Sequence, residues 1–181
     1  VDEKKLKRFM DGVRKYNVLL KIDMILGLPF ETMESYFAGI ETIMAFLRGT
    51  DHVFNIHRLQ ILQGSALEEQ SGRYGIVYSE EAPHFVYETK GWLRKDMDYA
   101  SRLTALIFRI FNSPLRKKFF EYQESADKTF FELIGDVFER MKAESCFENS
   151  RLFKDAVIDD SYWNSAAYSD IPTQWILGLF N

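Results

Sequence analysis

The sequence predicts an α/β unit followed by a mostly helical region. Residues 2–62 read as helix, strand, helix and strand, an order that favours two neighbouring parallel strands. From Trp92 onward, apolar residues recur every three or four positions, which is the spacing of amphipathic helices. We therefore expect an α/β segment over residues 1–75 and a mostly helical segment over residues 76–181.

Composition and charge limit the classes of function. The chain has 181 residues, 46% of them hydrophobic, which is enough apolar mass for one domain or two small ones. Its net charge of −4 gives no basic character, so we expect no nucleic-acid partner. No apolar run approaches the roughly 18 residues that span a bilayer, so we expect no membrane partner. The single cysteine excludes an internal disulfide framework, and the compartment expected from it is the cytoplasm. The chain begins at Val1 rather than at methionine, and we expect it to be a piece of a longer protein.

The first helix and strand have the clearest pattern. Residues 2–16 place apolar groups on one helical face, and Asn17 suits the end of this helix because asparagine tolerates the left-handed conformation. The half-polar face of the next strand is typical of strands that line a ligand cavity, and its apolar face is suited to lie under helices. Over Val18–Leu26 the two faces carry Leu19, Lys21, Asp23 and Ile25 on one side and Leu20, Ile22, Met24 and Leu26 on the other.

A second helix and a second strand follow. The apolar spacing predicts a helix over residues 32–48, and Gly49 suits its end. Residues 52–62 predict the second strand. Two strands do not form a stable parallel sheet alone, so either further strands of the longer protein complete the sheet, or a hairpin or a second copy covers its edge. A loose hairpin is predicted from residues 76–79 and 84–89.

The second half of the chain predicts three helices and an apolar end. The helices are expected over residues 93–110, 115–123 and 127–143, the last with Asp127 as its N-cap. The segment from Trp175 to Phe180 is too apolar to be free in solvent, so we expect it to pack against the helices.

Asp23 is the first candidate for a functional residue because a carboxylate inside a strand usually has a partner or a ligand. One interpretation pairs it with Lys21, His57 or Arg58 and involves no ligand. The other has it accept hydrogen bonds from ligand hydroxyls at the carboxyl edge of a parallel sheet, where ligands gather in such folds. Chemistry alone leaves both open.

Two loops are expected at that same edge. Gly27-Leu28-Pro29 allows a close approach of backbone, and Gln63-Gly64-Ser65 ends the second strand. Either loop is also explained as a simple turn. Glu31 and Thr32 lie where a helix needs capping, and we expect no other role for them.

Other chemistries have little support in the sequence. The three histidines lack the spacing of a metal site, and no phosphate loop or nucleophile elbow is present. His57 with Arg58 could bind an anion, or both could simply line a cavity. Cys146 lies between acidic residues that would raise its pKa, so we do not expect a reactive nucleophile.

Four segments together resemble radical S-adenosylmethionine (SAM) enzymes, in particular the cobalamin-binding subgroup of the anaerobic magnesium-protoporphyrin IX monomethyl ester oxidative cyclase type. Residues 23–32, Asp-Met-Ile-Leu-Gly-Leu-Pro-Phe-Glu-Thr, are similar to the family's Asp-x-Ile-x-Gly-Leu-Pro-Gly-Glu/Gln-Thr segment. Residues 58–67 resemble its next strand, with Gln-Gly-Ser where Pro-Gly-Thr is common, and residues 82–89 and 111–120 resemble a helical region that follows. Phe30 replaces the motif's usual glycine, which suggests a tighter or more apolar mouth.

The resemblance implies the C-terminal βα units of a partial TIM-type barrel, followed by a mostly helical accessory domain. Asp23 would contact the ribose hydroxyls of SAM, Ile25 would line the adenine side, Gly27 would form the adjoining turn, and Leu62 to Gly64 would help close the pocket.

The same resemblance implies an oxidoreductase whose cofactors are SAM, a [4Fe–4S] cluster and possibly cobalamin, and which acts on a small-molecule substrate. The cluster needs three cysteines and this chain has one, so cluster- and cobalamin-binding domains are expected upstream, and this piece alone is expected to be inactive. Two alternatives remain: a non-catalytic α/β interaction module with a structural Gly-Leu-Pro turn, and a complete small enzyme for another ligand.

Overall fold

The computed structural model describes residues 2–155, Ile158 and residues 173–180; the rest of the predicted helical segment lies outside the described residues. Helix α1 (Glu3–Lys15) begins where the Asp2 carboxylate accepts a hydrogen bond from the Lys5 amide, at 3.2 Å. Asn17 follows the helix with φ of 49°, which confirms its predicted left-handed conformation.

The first two strands are parallel neighbours, as predicted. Strands β1 (Lys21–Leu26) and β2 (Val53–Arg58) pair in register from Lys21 opposite Val53 to Leu26 opposite Arg58. Helix α2 (Met33–Leu47) joins them. Both strands are shorter than the predicted ranges. Beyond Arg58 the chain instead bonds to the hairpin that follows, with the Ile61 amide donating to the His84 carbonyl.

Helix α2 begins with a capping box. The Thr32 hydroxyl accepts from the Ser35 amide at 3.2 Å, and the Ser35 hydroxyl accepts from the Thr32 amide at 2.9 Å. The capping role expected of Thr32 is therefore confirmed. At the other end Gly49 has φ of 70°, a left-handed conformation that glycine adopts without strain.

The predicted hairpin is present and lies against the end of β2. Short helices α3 (Ala66–Glu69) and α4 (Ser71–Tyr74) precede the antiparallel strands β3 (Val77–Tyr78) and β4 (Val86–Glu88). The Val86 amide donates to the Leu59 carbonyl at 2.9 Å, so the hairpin continues the hydrogen bonding of the region beyond β2.

The remainder is helical, and one predicted cap is wrong. Asp127 lies in the left-handed conformation, with φ of 48°, at the end of the preceding helix, and Thr129 caps the next one through a capping box with Glu132. Thr129, two positions after Asp127, can also cap a helix, and its reciprocal hydrogen bonds with Glu132 fix the start of α7 there. The helices are α5 (Arg94–Phe111), α6 (Leu115–Ala126), α7 (Phe130–Ala143), the 3₁₀ turn Ser145–Phe147, α8 (Arg151–Lys154) and α9 (Thr173–Leu179).

One continuous cluster of buried apolar residues joins the two predicted segments. It runs from Leu26 and Phe54 of the strands, through α2 and α5, to the phenylalanines of α6 and α7. The Tyr36 and Thr104 hydroxyls, 3.0 Å apart, form a buried hydrogen bond between α2 and α5. Ile176 and Phe180 are also buried, which confirms that the apolar end of the chain packs. No helix in the described ranges has the length and apolar composition needed to cross a bilayer.

Candidate functional site

The two strands present one buried face and one exposed face. Phe54 and Ile56 of β2 are buried against the helices, as is Leu26 of β1. The exposed face carries mixed polar and apolar side chains, and Ile25 keeps 41% of its surface accessible. This division confirms the two faces predicted for β1. The exposed face is formed by Lys21, Asp23 and Ile25 of β1 and by Val53, Asn55 and His57 of β2.

Asp23 is held from one side only. Asn55 lies opposite it in the register and donates from Nδ2 to Asp23 Oδ1 at 2.8 Å. His57 Nε2 lies 3.6 Å and Lys21 Nζ 4.0 Å from that same oxygen. No hydrogen bond among the described residues goes to Oδ2, which leaves this oxygen available as an acceptor.

The surroundings of Asp23 favour its ionised form. The hydrogen bond from Asn55 lowers the pKa of Asp23 most. Burial opposes it, and the charges of Lys21 and His57 then lower the pKa further, so the net shift is downward. Asp23 is therefore a carboxylate at neutral pH. It is fixed in orientation by Asn55 and open to the space above the sheet.

Arg58 takes no part in this arrangement. It points to the buried face, where Nε donates to the Val86 carbonyl at 3.0 Å and Nη1 donates to the Ile158 carbonyl at 3.0 Å. Pairing of Asp23 with Arg58 is wrong, and so is a joint anion site of His57 and Arg58, because neighbouring residues of a strand lie on opposite faces.

The two loops at the carboxyl ends of the strands have left-handed residues at their predicted turns. Gly27 has φ of 96°, and a Cβ placed there would lie 2.7 Å from Met97 Cε. Gly64 has φ of 77°. Phe30 has φ of 67° although it is not glycine, and 65% of its surface is exposed. Leu62 is 69% exposed beside the second loop. Two apolar side chains, Phe30 and Leu62, are thus exposed to solvent at this end of the sheet.

Glu31 is the residue that sequence reasoning missed. Burial raises the pKa of Glu31 to about 7, and its Oε2 is buried without a partner among the described residues. The capping role expected of Glu31 is wrong, since Thr32 alone caps α2. A Cβ on Gly91 would lie 2.1 Å from the Glu31 carbonyl oxygen, so the turn before α5 packs directly on this loop. Because that turn is distant in sequence, no local pattern indicated the burial.

The outer edge of β1 is open. The Val53 amide donates to the Leu20 carbonyl, so alternate residues from Leu20 onward direct their backbone groups to β2. Those of Lys21, Asp23 and Ile25 point the other way, where no strand pairs within the described part of the chain. The backbone donors and acceptors along this edge have no strand partner within the described residues.

The site offers a carboxylate acceptor beside an apolar side chain. Asp23 offers one free carboxylate oxygen next to an exposed apolar residue, Ile25. Within residues 2–155, 158 and 173–180, no group of three or more histidine, cysteine, aspartate or glutamate side chains could hold a metal ion. Neither the models of protein families nor the curated proteins include a match to this chain.

Proposed function

We propose that this chain is the C-terminal portion of a cobalamin-binding radical SAM enzyme, with an oxidoreductase activity of the magnesium-protoporphyrin IX monomethyl ester oxidative cyclase type. The observation that carries the proposal is Asp23, an ionised carboxylate with a free Oδ2, on the exposed face of a parallel strand pair whose outer edge is open. In the proposed arrangement residues 1–75 end a partial TIM-type barrel and residues 76–181 form a helical accessory domain.

The open edge of β1 supports the barrel. Two parallel strands are too few for an independent sheet, and an unpaired edge with exposed apolar neighbours invites aggregation unless another strand covers it. An upstream strand of the longer protein would bond to the free backbone groups of Lys21, Asp23 and Ile25. The exposed Leu19 and Val53 would then lie inside the completed barrel rather than in solvent.

The conformation of Phe30 supports the resemblance. The motif has glycine at this position, and here the backbone has φ of 67°, in the left-handed region that glycine adopts most readily. Gly27 and Gly64 also have positive φ. The backbone at Phe30 therefore has a conformation that would account for the glycine of the motif at this position.

The residues present fit part of SAM. In the proposed site Asp23 Oδ2 accepts hydrogen bonds from the two ribose hydroxyls, and Ile25 offers apolar contact to adenine. The turns at Gly27 and Gly64, with Leu62 beside the second, form the boundary of the site at the same end of the sheet. The single cysteine does not fit a [4Fe–4S] cluster, so its ligands belong to upstream domains in this proposal, as does any cobalamin site. When bound beside a reduced cluster, SAM would provide the group that abstracts a hydrogen atom from a small-molecule substrate. We place the protein in the cytoplasm.

Asp23→Asn in the longer protein tests the proposal. The change keeps the shape but removes the charge that strengthens hydrogen bonds to two hydroxyls. Losing a charge-assisted hydrogen bond costs about 1.5–3 kcal/mol, so SAM should bind roughly ten- to a hundredfold more weakly by calorimetry. Asp11→Asn, on the exposed side of α1, is the matched control and should leave the affinity unchanged.

The melting temperature of the same variant separates the proposal from its rival. The open edge of β1 also suits a non-catalytic interaction module that accepts a strand from a partner. That module predicts unaltered SAM affinity and a lower melting temperature for Asp23→Asn. Such a result would remove Asp23 from the list of ligand residues.

A further inference from the structure

A cavity of about 880 Å³ lies at the amino end of β2, away from the Gly27 and Gly64 loops. Its volume is within the range of about 300–1,000 Å³ that is common for small-molecule sites. Helices α5 and α6 and the loop between α2 and β2 line it, and it is open to solvent. The rings of Phe108, Phe111 and Phe120 provide the apolar part of the wall.

The wall contains a cation, Arg116, whose hydrogen bonds within the described residues all go to neutral acceptors. Arg116 is half-buried and donates to the His52 carbonyl at 2.9 Å, the Leu47 carbonyl at 2.6 Å and the Thr50 hydroxyl at 3.3 Å. Within the described residues no carboxylate lies within 4.0 Å of its guanidinium, whereas Arg48 is paired with Glu124. The Asp51 carboxylate lines the same wall and acts on Arg116 through its charge from beyond ion-pair distance, so the guanidinium has an acidic neighbour but no direct ion pair among the described residues.

The start of α6 adds cationic groups to a wall that also contains the carboxylates of Asp51, Glu121 and Glu124. The first turn of a helix favours anions, yet the first turn of α6 has no acidic residue and carries Arg116 and Lys117 in the wall of the cavity. Lys117 lies 3.9 Å from Glu121 and is mostly exposed, so this pairing contributes little.

A buried donor in the same wall lacks an acceptor. His52 is only 8% exposed, and its Nδ1 accepts a hydrogen bond from the Leu20 amide at 3.4 Å. The neutral ring must then carry its proton on Nε2, and this atom is buried with no partner among the described residues. A buried donor without an acceptor is costly, and a ligand oxygen would satisfy it.

We infer that this cavity binds a small organic anion: an aromatic body against the phenylalanine rings, with a carboxylate or phosphate directed to Arg116, Lys117 and His52. The inference does not depend on the proposed function. Asn55 lines the cavity and also donates to Asp23, so one side chain joins this site to the exposed face of the sheet.

Matched aromatic probes test the class of ligand. We would titrate the chain with 2-naphthoate, 2-naphthyl phosphate and the neutral 2-naphthalenemethanol, following amide shifts by NMR. The better of the two anions should bind with a Kd of about 1 mM or tighter, the range expected for ligands of this size. Its shifts should centre on Val53, Phe111 and Asn112, and the alcohol should bind at least about fivefold more weakly. Whichever anion binds more tightly identifies the head group.

Charge reversal on α6 tests the position of the head group. Lys117→Glu should weaken binding of the better anion about tenfold, since an exposed attraction is replaced by a repulsion. Lys118→Glu makes the same change in net charge on an exposed neighbour outside the cavity wall, and should have little effect. His52→Asn keeps an acceptor near the Leu20 amide, removes the Nε2 donor and should weaken binding in a chain that still unfolds cooperatively.

Three outcomes would overturn the inference. They are no shift of cavity residues with either anion, equal binding of the alcohol, and equal weakening by the Lys117 and Lys118 variants. Because Arg116 also bonds to the end of α2, Arg116→Gln is not used as a test.

Discussion

Replacing Glu31 by glutamine should make the protein more stable at alkaline pH and should leave its stability at acid pH nearly unchanged. Burial raises the pKa of Glu31 from 4.5 to about 7. An unfolded chain releases this proton above about pH 4.5, whereas the folded chain keeps it until about pH 7. Between these values the unfolded state binds fewer protons, so the free energy of unfolding falls as pH rises. Above pH 7 the loss is complete.

The size of the effect follows from the same shift. Each pKa unit corresponds to about 1.4 kcal/mol, so the full shift sets an upper limit of roughly 3.5 kcal/mol. Partial solvent access reduces the expected loss to about 1–2 kcal/mol. The cause is burial of the carboxyl group: Glu31 Oε2 is buried and has no hydrogen-bond partner among the described residues.

Urea unfolding at pH 5 and pH 8 measures the effect. The native chain should lose about 1–2 kcal/mol between these conditions relative to Glu31→Gln. Glu69→Gln, at an exposed position of α3, is the control and should follow the native chain at both pH values. Parallel pH profiles for the native chain and the Glu31 variant would refute the reasoning that burial holds the proton on Glu31.

Three further predictions address packing, electrostatics and metal content. Gly91→Ala should lower the free energy of unfolding by more than about 2 kcal/mol, because the new Cβ would meet the Glu31 backbone. Gly135→Ala, in open space on α7, should raise the free energy of unfolding by up to about 1 kcal/mol. Urea unfolding of both variants measures the difference. Asn55→Ala should raise the pKa of Asp23 towards its ordinary value in an NMR titration, and an unchanged pKa would remove Asn55 as the partner that holds this carboxylate. The isolated chain should take up no iron–sulfur cluster and form no 5′-deoxyadenosine from SAM after anaerobic reconstitution; visible cluster absorbance would contradict this.

Local periodicity predicted the elements that carry the site. The alternation of residues 18–26 separated the face of Asp23 from the buried face, and the spacing of residues 32–48 located α2 to within one residue at each end. Both patterns indicate which side of a helix or strand packs against the core, so they can be interpreted without knowing which element packs there.

Contacts between distant segments could not be predicted in this way. The bond from Asn55 to Asp23 depends on the register of the two strands, and a shift by one residue would have placed Asn55 on the other face. The close packing of Gly91 on the Glu31 backbone likewise joins two segments that are far apart in sequence. The N-cap of α7 could have been predicted from the sequence, because Thr129 and Glu132 have the spacing of a capping box.

The most direct test of the proposed function is anaerobic reconstitution of the longer protein with iron and sulfide, followed by SAM and a reductant. Our account predicts a cluster of about four irons per chain, held by upstream cysteines, and formation of 5′-deoxyadenosine. Cys146→Ala should retain both properties, because Cys146 is exposed and is the single cysteine of this segment. A longer protein that binds no cluster and leaves SAM intact would contradict the account.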